Sequence, residues 1–143
     1  MHRIMVATDG SSRANRAVDA AARLAKATKT TLIILTVGGH DISGKELRRL
    51  ALVGGDLSKT LTTMADQVLA KAKNRAQRLG VSDIKLQTAW GDPAETIIDA
   101  VRRGKTDILV VGRRGRGQLS GLLLGSTSQK LSNLAPCIVM IVP

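Results

Sequence analysis

Residues 112 to 128 read GRRGRGQLSGLLLGSTS, five glycines and three arginines directly behind the apolar run DILVV. These residue types suit an anion. Glycine lets backbone N–H groups come close to a phosphate. Arg113, Arg114 and Arg116 would add planar forks of donors that match phosphate oxygens. Ser126 and Thr127 add hydroxyls where the next helix should begin, and free N–H groups and the helix dipole there also favour negative charge. The same residues could instead serve as a basic arm for nucleic acid or as a solvated turn. Asp9 is a second candidate, in the polar stretch Thr8 to Ser12 behind the first apolar run, although Asp9 or Ser11 could simply cap a helix. The remaining candidates are weak. His2 and His40 have no partners at metal-ligand spacing, and Cys137 sits in an apolar run and reads as inert core. No Ser-His-Asp or Cys-His grouping and no convincing general base can be read, so efficient catalysis is not expected.

The glycine spacing excludes several sites. No Gly-Lys-Ser/Thr follows at the distance a Walker A loop needs. From Gly115 the pattern is G-x-G-x-x-x-G, one residue too long for the dinucleotide fingerprint. Gly112-Arg113-Arg114-Gly115 matches a bare G-x-x-G, but KH loops join two helices and this one leaves a strand. The match that remains is Gly112, Gly115, nine further residues, then Gly125-Ser126.

Composition narrows the partners. The chain has 143 residues, one domain's worth, and is 43% apolar, enough for a core without metal or disulfide staples. It has no Phe or Tyr and one Trp, so the core must be aliphatic. The net charge of +11 favours anionic partners without naming one. Single-stranded nucleic acid and RNA are usually held by aromatic stacking, so nucleic acid is discounted as the main partner. One cysteine suits a reducing compartment. No apolar stretch nears the roughly 18 residues of a membrane span, and the run in MHRIMVATDG is short for a signal peptide. A cytoplasmic location is the expectation.

The periodicity supplies the elements that must position these residues. Apolar runs at Arg3–Ala7, Thr30–Val37, Ile84–Ala89, Asp107–Val111 and Cys137–Val142 read as strands. Between them, Ala14, Ala17, Val18, Ala21, Leu24 and Ala25 mark one helix. Leu57, Leu61, Met64, Val68, Ala72, Ala76 and Leu79 mark a second, stopped by Gly80. Asp92-Pro93-Ala94-Glu95 opens a third, with Asp92 as cap. Ser126–Leu134 makes a fourth, with Leu131 and Leu134 inward. Residues 38 to 56 hold a short helix, Lys45–Val53, in what reads as a variable insertion or a flap. The alternation predicts a single α/β domain, residues 1–143, with a five-stranded, mostly parallel sheet and helices on both faces. In such sheets ligands bind beyond the carboxyl ends of the strands. Those ends here are Ala7–Ser12, Val37–Gly39 and Gly112–Ser128. The loop Trp90–Pro93 is explained by helix capping alone.

The G-x2-G-x9-G-S/T spacing resembles the signature of the universal stress protein family, in its ATP-binding branch. Ala7-Thr8-Asp9-Gly10-Ser11 is similar to that family's first strand and turn. Trp90-Gly91-Asp92-Pro93-Ala94-Glu95 looks like its G-x-P/G-D-P-A segment, and Pro136-Cys137-Ile138-Val139 follows its Pro-Val pattern. The likeness covers almost all of residues 2 to 143. It implies a Rossmann-like fold of the adenine nucleotide alpha hydrolase kind. It also implies that ATP is held with its phosphates on Gly112, Gly115, Gly125, Ser126 and Thr127. Asp9 would lie in the ribose and phosphate region, with Mg²⁺ or Mn²⁺ bridged through phosphates nearby. Val37 would contact adenine through its backbone, and Ala7 and Thr8 would line the crevice. A homodimer through the last strand, at most slow ATP hydrolysis and a regulatory role in stress with an unidentified protein partner are implied too. Arg113, Arg114 and Arg116 depart from the commoner family pattern, which leaves open whether they clamp phosphates. The alternative is a basic module that docks on a protein or anionic surface without nucleotide.

Overall fold

A computed structural model describes residues 3–38, 45, 48–49, 52, 56–113 and 124–143. Its elements in chain order are β1 (Ile4–Ala7), α1 (Ser12–Thr28), β2 (Leu32–Gly38), α2 (Leu57–Arg78), β3 (Ile84–Trp90), α3 (Pro93–Arg103), β4 (Ile108–Gly112), α4 (Ser126–Leu134) and β5 (Ile138–Val142). The expected helix Lys45–Val53 falls largely outside the described residues, as do Arg114, Gly115 and Arg116.

Helix starts follow their capping residues. Ser11 Oγ accepts from the Ala14 N–H at 3.1 Å, Asp56 Oδ1 from the Lys59 N–H at 3.2 Å, and Asp92 Oδ2 from the Glu95 N–H at 3.1 Å. Each satisfies a donor that the first helical turn leaves without an intrahelical partner. Behind α2, Gly80 at φ +94 takes the left-handed turn expected of it. α1 and α3 are followed by lysines in that region, Lys29 (φ 53) and Lys105 (φ 47).

All four strand pairings are parallel, in the order β3-β2-β1-β4-β5. Alternation along the strands separates two aliphatic cores. Ile4, Val6, Leu32, Ile34 and Val110 face α1 and α2, against Ala17, Val18, Ala21, Leu69, Ala72 and Ala76. Met5, Ile33, Leu35, Val37, Leu109 and Val111 face α3 and α4, against Ile97, Ile98, Val101 and Leu131. The alanines of α1 let that helix lie close to the sheet. The side chains of Arg75 and Asp19 bind α2 to α1 through two hydrogen bonds, 3.0 and 2.7 Å.

Four local expectations are corrected. The buried row of α2 is Ala65, Leu69, Ala72 and Ala76, while Met64 is 40% exposed and Val68 only half-buried. Successive residues turn by about 100°, so the step of three from Ala72 back to Leu69 keeps the row together. Repeated steps of four carry Met64 about 110° away from its centre. Leu134 points outward instead of inward, 61% exposed. It lies in the last turn of α4, beside the outermost strand. Cys137 precedes β5 and is only partly buried. The strand limits shift by one or two residues, with β2, β3 and β4 each running one residue further than the sequence suggests.

Candidate functional site

The strands end at different heights. β1 pairs with β2 only as far as Ala7 opposite Leu35, and with β4 as far as Val6 opposite Val110. β2 continues to Gly38, held by β3, and β4 continues to Gly112, held by β5. The chain leaving β1 makes one more bond, from the Thr8 N–H to the Leu35 carbonyl at 2.9 Å, and then turns into α1. A notch two strand spacings across, about 10 Å, therefore opens between the ends of β2 and β4 above β1. This is the point where the connections run to opposite sides of β1, the usual place for a ligand in an open α/β sheet.

Val37 borders the notch. In a parallel strand both backbone polar groups of a residue point to the same side, and the side alternates. The Leu35 carbonyl points to β1, so the N–H and C=O of Val37 point the same way, past the last β1 rung. The Val37 side chain is buried in the α3–α4 core. Any role of Val37 at the notch thus belongs to its backbone.

The turn after β1 forms the floor. Thr8 is buried, and its Oγ1 accepts from the Gly10 N–H at 3.1 Å. Asp9 Oδ1 accepts from the Ser11 N–H at 2.9 Å. Asp9 and Ser11 thus both take part in the local turn: Asp9 shapes it and Ser11 caps α1. Asp9 is partly buried in this turn.

The stretch that follows β4 is fastened at both ends. The Arg113 N–H donates to the Val142 carbonyl at 2.7 Å. The Arg113 carbonyl accepts from the Gly125 N–H at 2.8 Å and from Ser128 Oγ at 2.7 Å. The start of α4 is thereby held against the end of β4, which brings Gly112, Arg113, Gly125, Ser126 and Thr127 to one side of the notch. Ser128, buried, is the fastening the sequence did not reveal. A serine in the third helical position reads as an ordinary polar residue until its distant acceptor is known. Arg113 itself is exposed. α4 differs from α1, α2 and α3 at its start: Gly125 is the cap residue and, among the described residues, no side-chain cap hydrogen bond forms there. Ser126 is exposed and Thr127 half-buried beside those groups.

A model of the universal stress protein family matches residues 1–143. The chain belongs to the universal stress protein family. Universal stress protein YxiE of Bacillus subtilis is 32% identical over 146 residues, covering 99% of this chain and 98% of that protein. Universal stress protein UspA from Lactobacillus plantarum superposes with a TM-score of 0.80 at 25% identity, covering 99% of this chain and 97% of its own. A universal stress protein solved in complex with cAMP superposes with a TM-score of 0.71 at 28% identity, over 99% of this chain and 96% of that one. The parallel five-stranded α/β architecture of this universal stress protein is thus the fold of these two solved relatives, over nearly all of their length.

Proposed function

We propose that this universal stress protein binds an adenine nucleotide in the notch and acts as an ATP-responsive regulatory module, with at most slow hydrolysis. The observation that carries the reading is the uncapped start of α4, fastened through Arg113 to the end of β4 beside the notch. Donors without a capping side chain favour an anion, and the glycine spacing around them is the family signature. The cAMP held by a relative of 28% identity supports an adenine nucleotide as the ligand class. In this reading Gly112, Gly125, Ser126 and Thr127 receive phosphates, Asp9 lies by the ribose and phosphates, and the Val37 backbone takes the hydrogen-bonding edge of the base. Ala7 and Thr8 line the crevice. A divalent cation would arrive bound to the phosphates, with Asp9 alongside. Arg113 adds positive charge at the rim, Gly115 completes the glycine signature, and Arg114 and Arg116 would add their charge to the phosphate side. The relevant species is a homodimer joined along β5, which among the described residues has a strand partner on one side only.

Gly125→Val tests the reading. Gly125 has φ −69 and ψ 163, a backbone conformation open to valine, so the fold should persist while the added side chain crowds the phosphate position. Equilibrium dialysis with Mg·ATP is expected to show binding to the wild type and a loss of more than about tenfold in the variant, some 1.4 kcal/mol. Equal binding in both contradicts the phosphate assignment. The docking alternative is favoured by one feature. Arg13, Arg16, Arg23 and Lys26 on α1 and Lys59, Lys71 and Arg78 on α2 are all exposed on the same layer. It predicts that reversing these charges, and not Gly125→Val, abolishes function.

A further inference from the structure

Trp90 ends β3 and is the chain's only aromatic residue, yet it joins neither core cluster. Its loop also caps α3, through Asp92. The indole does something separate. Gly38 pairs with Trp90 across β2 and β3, and the benzo ring occupies the place where a side chain on residue 38 would stand. A Cβ built on Gly38 collides with Cζ3 and lies 2.8 Å from Cη2. Leu32 and Ile34 face the α1–α2 core, so alternation puts the Gly38 substituent position, and with it the ring, on that side of the sheet. The ring sits one residue beyond Val37 and remains 49% exposed. A glycine that vacates space for an indole, which then stays half in water, packs poorly as core and well as the wall of a cavity.

We propose that Trp90 is the wall of the base subsite, the apolar surface on which a nucleobase addressed by the Val37 backbone packs. The assignment rests on the nucleotide reading above and deepens it. Backbone groups in the plane of the sheet meet only the hydrogen-bonding edge of a base. Its faces need apolar cover, and the described strand ends offer mostly Thr, Ala and Gly there. The indole supplies that cover, and with it a preference for nucleotides over polyphosphates that lack a base.

Because Trp90 is the sole tryptophan, intrinsic emission reports on this one position. Saturating ATP is expected to change the wild-type emission, and inorganic tripolyphosphate to leave it unchanged. Trp90→Val should weaken ATP binding by about 5-fold or more, within the roughly 5- to 150-fold range of one base–aromatic contact, while tripolyphosphate affinity stays the same. Trp90→Phe should restore most of the loss, and Gly38→Ala should reproduce it by pushing the ring aside. Should Trp90→Val fail to fold, the wild-type emission and the Gly38→Ala variant still decide. Calorimetric ATP binding with unchanged emission, or with equal ATP affinity in wild type and Trp90→Val or Gly38→Ala, overturns the assignment of Trp90 and leaves the nucleotide site standing. No binding of any adenine nucleotide overturns both.

Discussion

At the scale of single residues, much of the site is backbone. Arg113 joins β4, β5 and α4 through its N–H and C=O, while its side chain is exposed. Ser128 supplies one of the two donors to that carbonyl, from a buried position. Ser128→Ala should cost about 1–2 kcal/mol in urea unfolding and lower ATP affinity as the start of α4 loosens. Unchanged stability would show that the Gly125 N–H alone holds the junction. Thr106, at the opposite end of the sheet, has a buried hydroxyl with no hydrogen-bond partner among the described residues. Thr106→Val should therefore be neutral or stabilising by up to about 1 kcal/mol, read from the same unfolding curves. Burial pushes the Cys137 thiol above its ordinary value, opposed by a hydrogen bond from the Leu109 backbone and aided by the charge of Asp107. The neutral thiol thus persists to higher pH in the folded chain than in the unfolded one. Alkylation by iodoacetamide should be slower than for free cysteine at pH 8, with the gap closing as pH rises through the raised pKa. The roles of Asp92, Ser11 and Gly80 were legible because capping and turn chemistry act within four residues. Ser128 and Gly38 were not, because the groups that give them meaning lie 15 and 52 residues away.

At the scale of elements, the order of strands and helices could be read directly, since buried parallel strands are unbroken apolar runs and the helices carry their own caps. Which strands end short could not. The notch depends on register, on β1 stopping at Ala7 while β2 and β4 run on, and nothing in the apolar run of β1 alone dictates where its neighbours stop. The face of α2 was misjudged for a related reason. Leu61, Met64 and Val68 are apolar at helical spacing, but the sheet accepts the row through Ala65 and Leu69. Helix ends offer a test at this scale. α1 and α3 hand over to Lys29 and Lys105 in the left-handed region, where glycine is at ease. Lys105→Gly should raise stability by about 0.5–1 kcal/mol, the relief of roughly 1–2 kcal/mol of strain less the entropy glycine loses on folding. A thermal melt shifted downward would contradict this.

At the scale of the whole molecule, two features look outward. The first is the edge at β5, where Ile138 is 65% exposed and Leu134 is 61% exposed close by in sequence. Pairing of two β5 strands would satisfy the open edge and cover such residues. Light scattering is expected to give twice the chain mass, and Ile138→Glu to shift it toward one chain. A monomeric wild type at micromolar concentration would contradict the dimer. The second is the charge of +11, whose attraction for a polyanion should weaken with salt. That charge was visible in composition, but it did not distinguish a nucleotide from a docking surface. The glycine spacing did more, and the fastening of α4 to β4 gives that spacing a physical purpose. Isothermal titration of the wild-type protein with Mg·ATP is the most direct test of the nucleotide site. The account predicts a saturable isotherm with one site per chain. No saturation up to about 1 mM, an affinity near 4 kcal/mol, would contradict it.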